Sequence, residues 1–159
     1  MLKYMVENEI VFQYPGEDEE LARDKVYSMQ QFETWFKQNE ADLIWNKQAQ
    51  GYDSNTDINI FLLNLYIIPI QFNIVKGNFD CSANKLKSLK GCPKEIERDF
   101  NCSYNHIISL EGCPEKVGGN FYCYNNNLIS LEGCPKKAER DFYCYNNNLT
   151  SLKGCPEEI

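Results

Sequence analysis

The sequence predicts an α/β protein: a solenoid of 21-residue coils with a parallel β-sheet on its concave face, preceded by a small N-terminal α/β cap. Three observations predict it. Residues 78–159 repeat one pattern four times: Phe79, Phe100, Phe121 and Phe142 are 21 residues apart, as are Cys81, Cys102, Cys123 and Cys144, and Asn84, Asn105, Asn126 and Asn147. A period in this range marks a solenoid, whose unit is too small to bury its apolar face alone and must stack on its neighbours. Within each unit, Phe79 and Cys81 alternate with Asp80 and Ser82, the spacing of a strand with one inward face. Residues 1–56 lack the repeat, show helical spacing, and hold much of the acidic charge.

Each slot of the unit has a physical reason. Asn84 falls where the chain leaves the strand, and a buried Asn can hydrogen-bond the backbone of a turn. Leu86 and Leu89 return apolar groups to the core. Gly91 and Pro93 force the second corner, and Ile96 closes the coil. Twenty-one residues leave no room for a full helix on the return side, so short 3₁₀ or extended segments are expected there. The run Phe79-x-Cys81-x-x-Asn84-x-Leu86-x-x-Leu89 resembles the leucine-rich-repeat pattern, with Phe and Cys in two of the Leu slots. The remainder, Leu89-Lys90-Gly91-Cys92-Pro93-x-x-Ile96, is similar to the short repeats of bacterial virulence effectors and of phage and bacterial reading frames, with Gly-Cys-Pro replacing a second Leu-Pro.

Before the repeat, residues 2–6 and 10–14 are apolar runs that read as a hairpin or one bent strand, broken at Pro15-Gly16. Glu17, Asp18, Glu19 and Glu20 sit where a helix would start, favoured there by the helix dipole; the alternative is that they imitate phosphates toward a basic partner. Ser28-x-x-Gln31 reads as a capping box opening a second helix, with Phe32, Trp35 and Phe36 as its core stripe. Residues 42–49 are read as an extension of the helical layer, and 51–56 as a polar, turn-rich boundary. Residues 57–77 are read as a degenerate first coil: sliding the 21-residue ruler back sets Ile58 under Phe79, Ile60 under Cys81, Leu65 under Leu86 and Val75 under Ile96, while the Asn slot holds Leu63.

Composition limits the function. The net charge of −7 is uneven: residues 1–77 hold 12 acidic and 6 basic side chains, against 11 and 10 in residues 78–159. An acidic chain without a basic footprint argues against direct nucleic-acid binding. All eight cysteines lie in the repeats, in slots where the related pattern has Leu, so buried free thiols explain them; disulfides and metal binding are the alternatives. One His and no C-x-x-C give zinc no evident ligand set, and no cofactor motif is present. The start of the chain has no signal-peptide pattern and no apolar run fit to span a membrane, which with free thiols points to a cytoplasmic setting. The last apolar slot, Ile159, is followed by no polar segment, so end-to-end pairing into a homodimer is an expectation.

The outward strand positions form four rows: Asp80, Asn101, Tyr122, Tyr143; Ser82, Ser103, Tyr124, Tyr145; Ala83, Tyr104, Asn125, Asn146; and Lys85, His106, Asn127, Asn148. Tyr supplies rigid contact area and Asn adaptable hydrogen bonds, the composition of a binding face; ladders that only brace the stack are the competing reading. His106 stands beside no obvious nucleophile, and no catalytic motif is found, so a non-enzymatic protein is expected. The resemblance to phage-borne repeats implies a stoichiometric inhibitor of a bacterial defence nuclease, as anti-CRISPR proteins are, working in the host cytoplasm. A self-assembling adaptor is the alternative.

Overall fold

The structure, a computed structural model, describes residues 19–39, 42–135 and 139–156, with side chains of the helix described from Ser28 onward. It is a β-solenoid of stacked 21-residue coils carrying two parallel sheets, with one helix among the described residues. The apolar runs at 2–6 and 10–14, Glu17, Asp18 and Ile159 lie outside the described residues.

Helix α1 (Glu19–Asn39) is followed by strands β1 (Leu43–Asn46) and β2 (Gly51–Ser54), which pair antiparallel. Each coil then contributes a strand to a corner of the solenoid. One corner stacks β2, β4 (Phe72–Val75), β6 (Glu95–Ile96) and β8 (Lys116–Val117), with β1 on its edge. The other stacks β3 (Ile58–Asn59), β5 (Phe79–Asp80), β7 (Phe100–Asn101), β9 (Phe121–Tyr122) and β10 (Phe142–Tyr143), all parallel and in step with the repeat. Ile58 pairs with Phe79, and Phe79 with Phe100. Both the strand after the turn and the return side are thus extended, and the return-side strands form a sheet of their own.

Three columns hold the coils in register. Phe72, Phe79, Phe100, Phe121 and Phe142 form a continuous chain of ring contacts, alternately edge-on and stacked, with centroid spacings of 5.1, 6.2, 5.1 and 4.9 Å. Beside it runs the Asn column. Asn105 Nδ2 donates to Cys81 O, Cys102 O and Ser103 O at 3.1–3.2 Å, and its Oδ1 accepts the Leu86 amide at 2.9 Å. Asn84, Asn126 and Asn147 repeat the arrangement, each bonding backbone of its own coil and the one before. In a buried turn this satisfies groups that would otherwise be orphaned. The third column lies at the strand entries: each amide of Asn78, Asp99, Asn120 and Asp141 donates to the side-chain Oδ1 of the residue one coil earlier, beginning with Asp57. Asp and Asn alternate along it, so no two carboxylates are direct neighbours.

The residue before each Asn slot adopts a left-handed conformation: Leu62, Ala83, Tyr104, Asn125 and Asn146 have φ between 52° and 56°. Asn tolerates this region; the others are strained by their Cβ. Ala83→Asn is expected to stabilise the protein by about 0.5–1 kcal/mol, read as a small rise in the thermal midpoint; an unchanged or lower midpoint would refute the strain.

Five sequence expectations are corrected. Ser28 caps no second helix: it lies inside the single helix α1, fully buried, where its Oγ accepts the amides of Tyr66 and Ile67 and ties α1 to the coil at 57–77. Phe32 and Trp35 are buried as expected, Phe32 packing edge-on to Phe72 at 6.3 Å. Residues 42–49 are no helical extension but strand and turn, and 51–54 are a buried strand rather than a boundary loop. Asp53 explains the latter: its carboxylate accepts Asn46 Nδ2, Asn73 Nδ2 and the Ile74 amide at 2.7–3.1 Å, joining β1, β2 and β4. Burial alone would raise its pKa, but these donors outweigh burial and hold it below the ordinary carboxylate value. Ser82 and Ser103, read as outward, are buried. Finally Leu152 is 68% exposed although Leu89, Leu110 and Leu131 in its slot are fully buried, because no described coil covers it.

Candidate functional site: the tyrosine face

The outer side of the β3–β5–β7–β9–β10 sheet carries the predicted site residues. A parallel stack places equivalent side chains about 4.8 Å apart, so identical residues in consecutive coils must meet. Tyr122 and Tyr143 stack with centroids 5.0 Å apart and planes 4° from parallel; Tyr124 and Tyr145 do so at 4.5 Å and 9°. Tyr104 leans from the next column and meets Tyr124 edge-on at 5.4 Å. The five tyrosines therefore form one cluster, as the rows implied. Asn125 and Asn146 join through an amide bond, Asn146 Nδ2 to Asn125 Oδ1 at 3.0 Å.

The stacking has a chemical consequence. Within each pair one face of each ring is covered by its partner, leaving the other face, the ring edge and the phenol hydroxyl for contact. The Tyr143 hydroxyl donates to Asp141 at 3.0 Å, and this bond with its carboxylate charge raises the phenol pKa. The Tyr145 pKa is raised by desolvation and by the neighbouring phenols. Both remain neutral hydrogen-bond donors near neutral pH. Asn120 Nδ2 donates to the Tyr122 hydroxyl at 3.0 Å.

The other predicted residues are less closely joined. Asn101 is next to Tyr122 in register, but its Oδ1 is turned back to accept the Ser103 amide and hydroxyl at 3.1 and 2.6 Å. His106 is exposed, its amide bonded to Leu86 O. Glu19 and Glu20 open α1. Asp80 heads the row of Asn101 and Tyr122; its Oδ1 accepts the Ser82 amide and hydroxyl at 2.9 and 2.5 Å.

The cysteines make two columns inside the solenoid. Cys81, Cys92, Cys102 and Cys123 are buried, whereas Cys113, Cys134 and Cys144 are half-buried and Cys155 is exposed; all are free thiols. Burial pushes Cys92 and Cys102 well above the usual thiol pKa and Cys113 up to about 12, so these side chains are protonated and unreactive. Alkylation of the native protein is expected to modify Cys155 first and Cys144 next, with Cys81, Cys92 and Cys102 protected until unfolding; mass spectrometry of the labelled peptides reads the order, and early labelling of Cys102 would refute it. Among the described residues no group of three or more His, Cys, Asp or Glu side chains is placed to hold a metal ion, and no helix is long and apolar enough to cross a membrane.

A shallow groove on the Gly-Cys-Pro side is lined by Lys87, Lys90, Lys94, Ile108, Glu111 and Glu115, among others. Glu111 and Glu115 stand one repeat beyond Lys90 and Lys94 and offset them, leaving Lys87 in excess. The tyrosine face has no such symmetry of charge. No family model, curated protein or solved structure matches the chain, and the reading of the site rests on this geometry.

Proposed function

We propose that the protein works by binding another protein through the tyrosine face, without catalysing a reaction. The observation that supports this is the clustering of five tyrosines, of which Tyr104, Tyr143 and Tyr145 are 56%, 36% and 54% exposed beside an open Asn ladder. Bracing the stack needs ring contact but not this exposure, and rigid phenols with adaptable amides are suited to recognition. The coil is a variant leucine-rich type, a reading supported by its inward Asn column and Leu slots. In its concrete form the partner is a nucleic-acid-binding effector of bacterial immunity, inhibited stoichiometrically in the cytoplasm of a bacterial host. The net charge of −7 favours a basic partner, electrostatics setting the association rate.

The test is affinity capture with the intact chain beside a variant carrying Tyr122→Ala, Tyr124→Ala, Tyr143→Ala and Tyr145→Ala. A partner bound by the first and lost by the second supports the reading; one kept by both removes it. End-to-end self-association is a second reading, favoured by β10: the amides of Phe142, Cys144 and Asn146 have no acceptor among the described residues, whereas their counterparts Phe121, Cys123 and Asn125 donate to the next coil. Light scattering separates the two. Apolar end-face pairing would persist in high salt, whereas charge-steered capture would weaken.

A further inference from the structure

We propose that the tyrosine face contains a guanidinium-binding notch over the coil of Asn101 and Ser103, walled by Tyr122 and Tyr104 and ending at Asp80, and that the protein partner enters it with an arginine side chain. The inference rests on the binding reading above and supplies the group which that reading leaves open.

The notch follows from a change of side-chain size along two columns. In the first, Asp80 and Asn101 precede Tyr122 and Tyr143; in the second, Ser82 and Ser103 precede Tyr124 and Tyr145. Ser82 and Ser103 are buried, and Asp80 and Asn101 fold back onto them, so this half of the face is low. Tyr122 stands at the step. Tyr143 covers one face of its ring; the other is directed at the short Asn101, its register neighbour. Tyr104, reaching across to Tyr124, bounds the side.

Charge decides what lies there. Asp80 Oδ1 is committed to Ser82, whereas Oδ2 has, among the described residues, only a 3.5 Å contact with Asn101 Nδ2. Two coil steps of about 4.8 Å separate Asp80 from Tyr122. A planar cation lying against Tyr122 over Asn101 therefore stands between the ring and this carboxylate and is attracted to both. The neighbouring Lys85 does not supply it: it is turned to Tyr66, 3.3 Å from its hydroxyl and 5.1 Å from its ring centre. Guanidinium fits because it is flat, stacks on aromatic faces and carries donors in its plane; an ammonium lacks the plane. A nucleobase would match the ring but would bring its phosphate toward Asp80.

The test titrates the intact isotope-labelled chain with the blocked peptide acetyl-Gly-Gly-Arg-Gly-Gly-amide and its Lys counterpart, followed by NMR. The Arg peptide is expected to shift the Tyr122 ring and Asn101 side-chain amide saturably, binding at least about fivefold more tightly than the Lys peptide. Tyr122→Leu and Asp80→Asn should each weaken it by about tenfold. Asp80→Asn retains the Oδ1 acceptor that Asn101 already provides one coil further on, so it tests charge with the fold intact. Equal responses to both peptides, or shifts that survive both substitutions, would overturn the notch. A partner lost with Tyr143→Ala and Tyr145→Ala but indifferent to Asp80→Asn and Tyr122→Leu would also overturn it while leaving the tyrosine face as the binding site. Retention of the partner by the four-tyrosine variant would instead remove the underlying reading.

Discussion

Asn105→Ala is expected to destabilise the protein by about 2 kcal/mol, because it strands the buried Leu86 amide and takes one of two donors from each of three carbonyls: Cys81 O keeps Asn84 Nδ2, Cys102 O keeps Asn126 Nδ2 and Ser103 O keeps the Ala83 amide. The side chain is 5% exposed and makes four hydrogen bonds, three from Nδ2 to carbonyls and one from the Leu86 amide to Oδ1. A stranded buried amide costs about 1–3 kcal/mol, less when the turn relaxes or water enters the cavity. The expected fall in thermal midpoint is about 4–8 °C for a chain of this size. Asn147→Ala supplies the comparison: Asn147 has the same partners by type but is only half-buried, and its loss should cost about 1 kcal/mol. Asn105→Asp is more severe at neutral pH, since a carboxylate would turn acceptors toward three carbonyls. Its deficit should shrink on acidification, when the introduced group is protonated and one donor returns. Urea unfolding of the three variants at two pH values checks the series; an Asn105→Ala cost below 1 kcal/mol would show that the column is dispensable.

The repeat was legible because each slot answers a separate physical demand, and the demands recur at one spacing. Phe79, Cys81, Leu86 and Leu89 announce an inward face, and the ruler that aligns them with Phe100, Cys102, Ile107 and Leu110 is also the register in which the strands pair. The tyrosine cluster was legible for the same reason: rows read from a fixed period become columns in space. What the pattern hid were interactions outside it. Ser28 looks like a helix cap in sequence, yet its partners are Tyr66 and Ile67, nearly forty residues away. Asp53 looks like a loop residue, and only the neighbouring strands reveal that it joins Asn46 to Asn73. Ser82 and Ser103 alternate as outward residues should, but the strands pair for only two residues, and the chain has begun to turn by the time it reaches them. Alternation ceases to report direction where the strand ends.

Gly91→Ala is expected to cost at least about 3 kcal/mol, and more than Gly112→Ala, although the two glycines fill the same slot of successive coils. Both have φ well into the positive range, 99° and 84°, where any Cβ is strained. The difference lies in the surroundings. A Cβ on Gly91 would lie 2.8 Å from the carbonyl oxygens of Ile68 and Ile70 and 2.9 Å from Ile68 Cβ, whereas on Gly112 its nearest neighbours are backbone atoms of Leu89 and Lys90 at 3.2 Å. Backbone cannot rotate away as a flexible side chain can, so relief at Gly91 requires the coils to separate. The Gly91 carbonyl accepts the Phe72 amide, and Cys92 beside it is buried, so separation would also disturb the return-side sheet and the thiol column. At Gly112 a shift of a few tenths of an ångström suffices, leaving mainly the φ penalty of about 1–2 kcal/mol. Thermal unfolding of the two variants should therefore rank Gly91→Ala below Gly112→Ala. Equal midpoints would mean that backbone conformation alone, and not the close approach of successive coils, demands glycine at this corner.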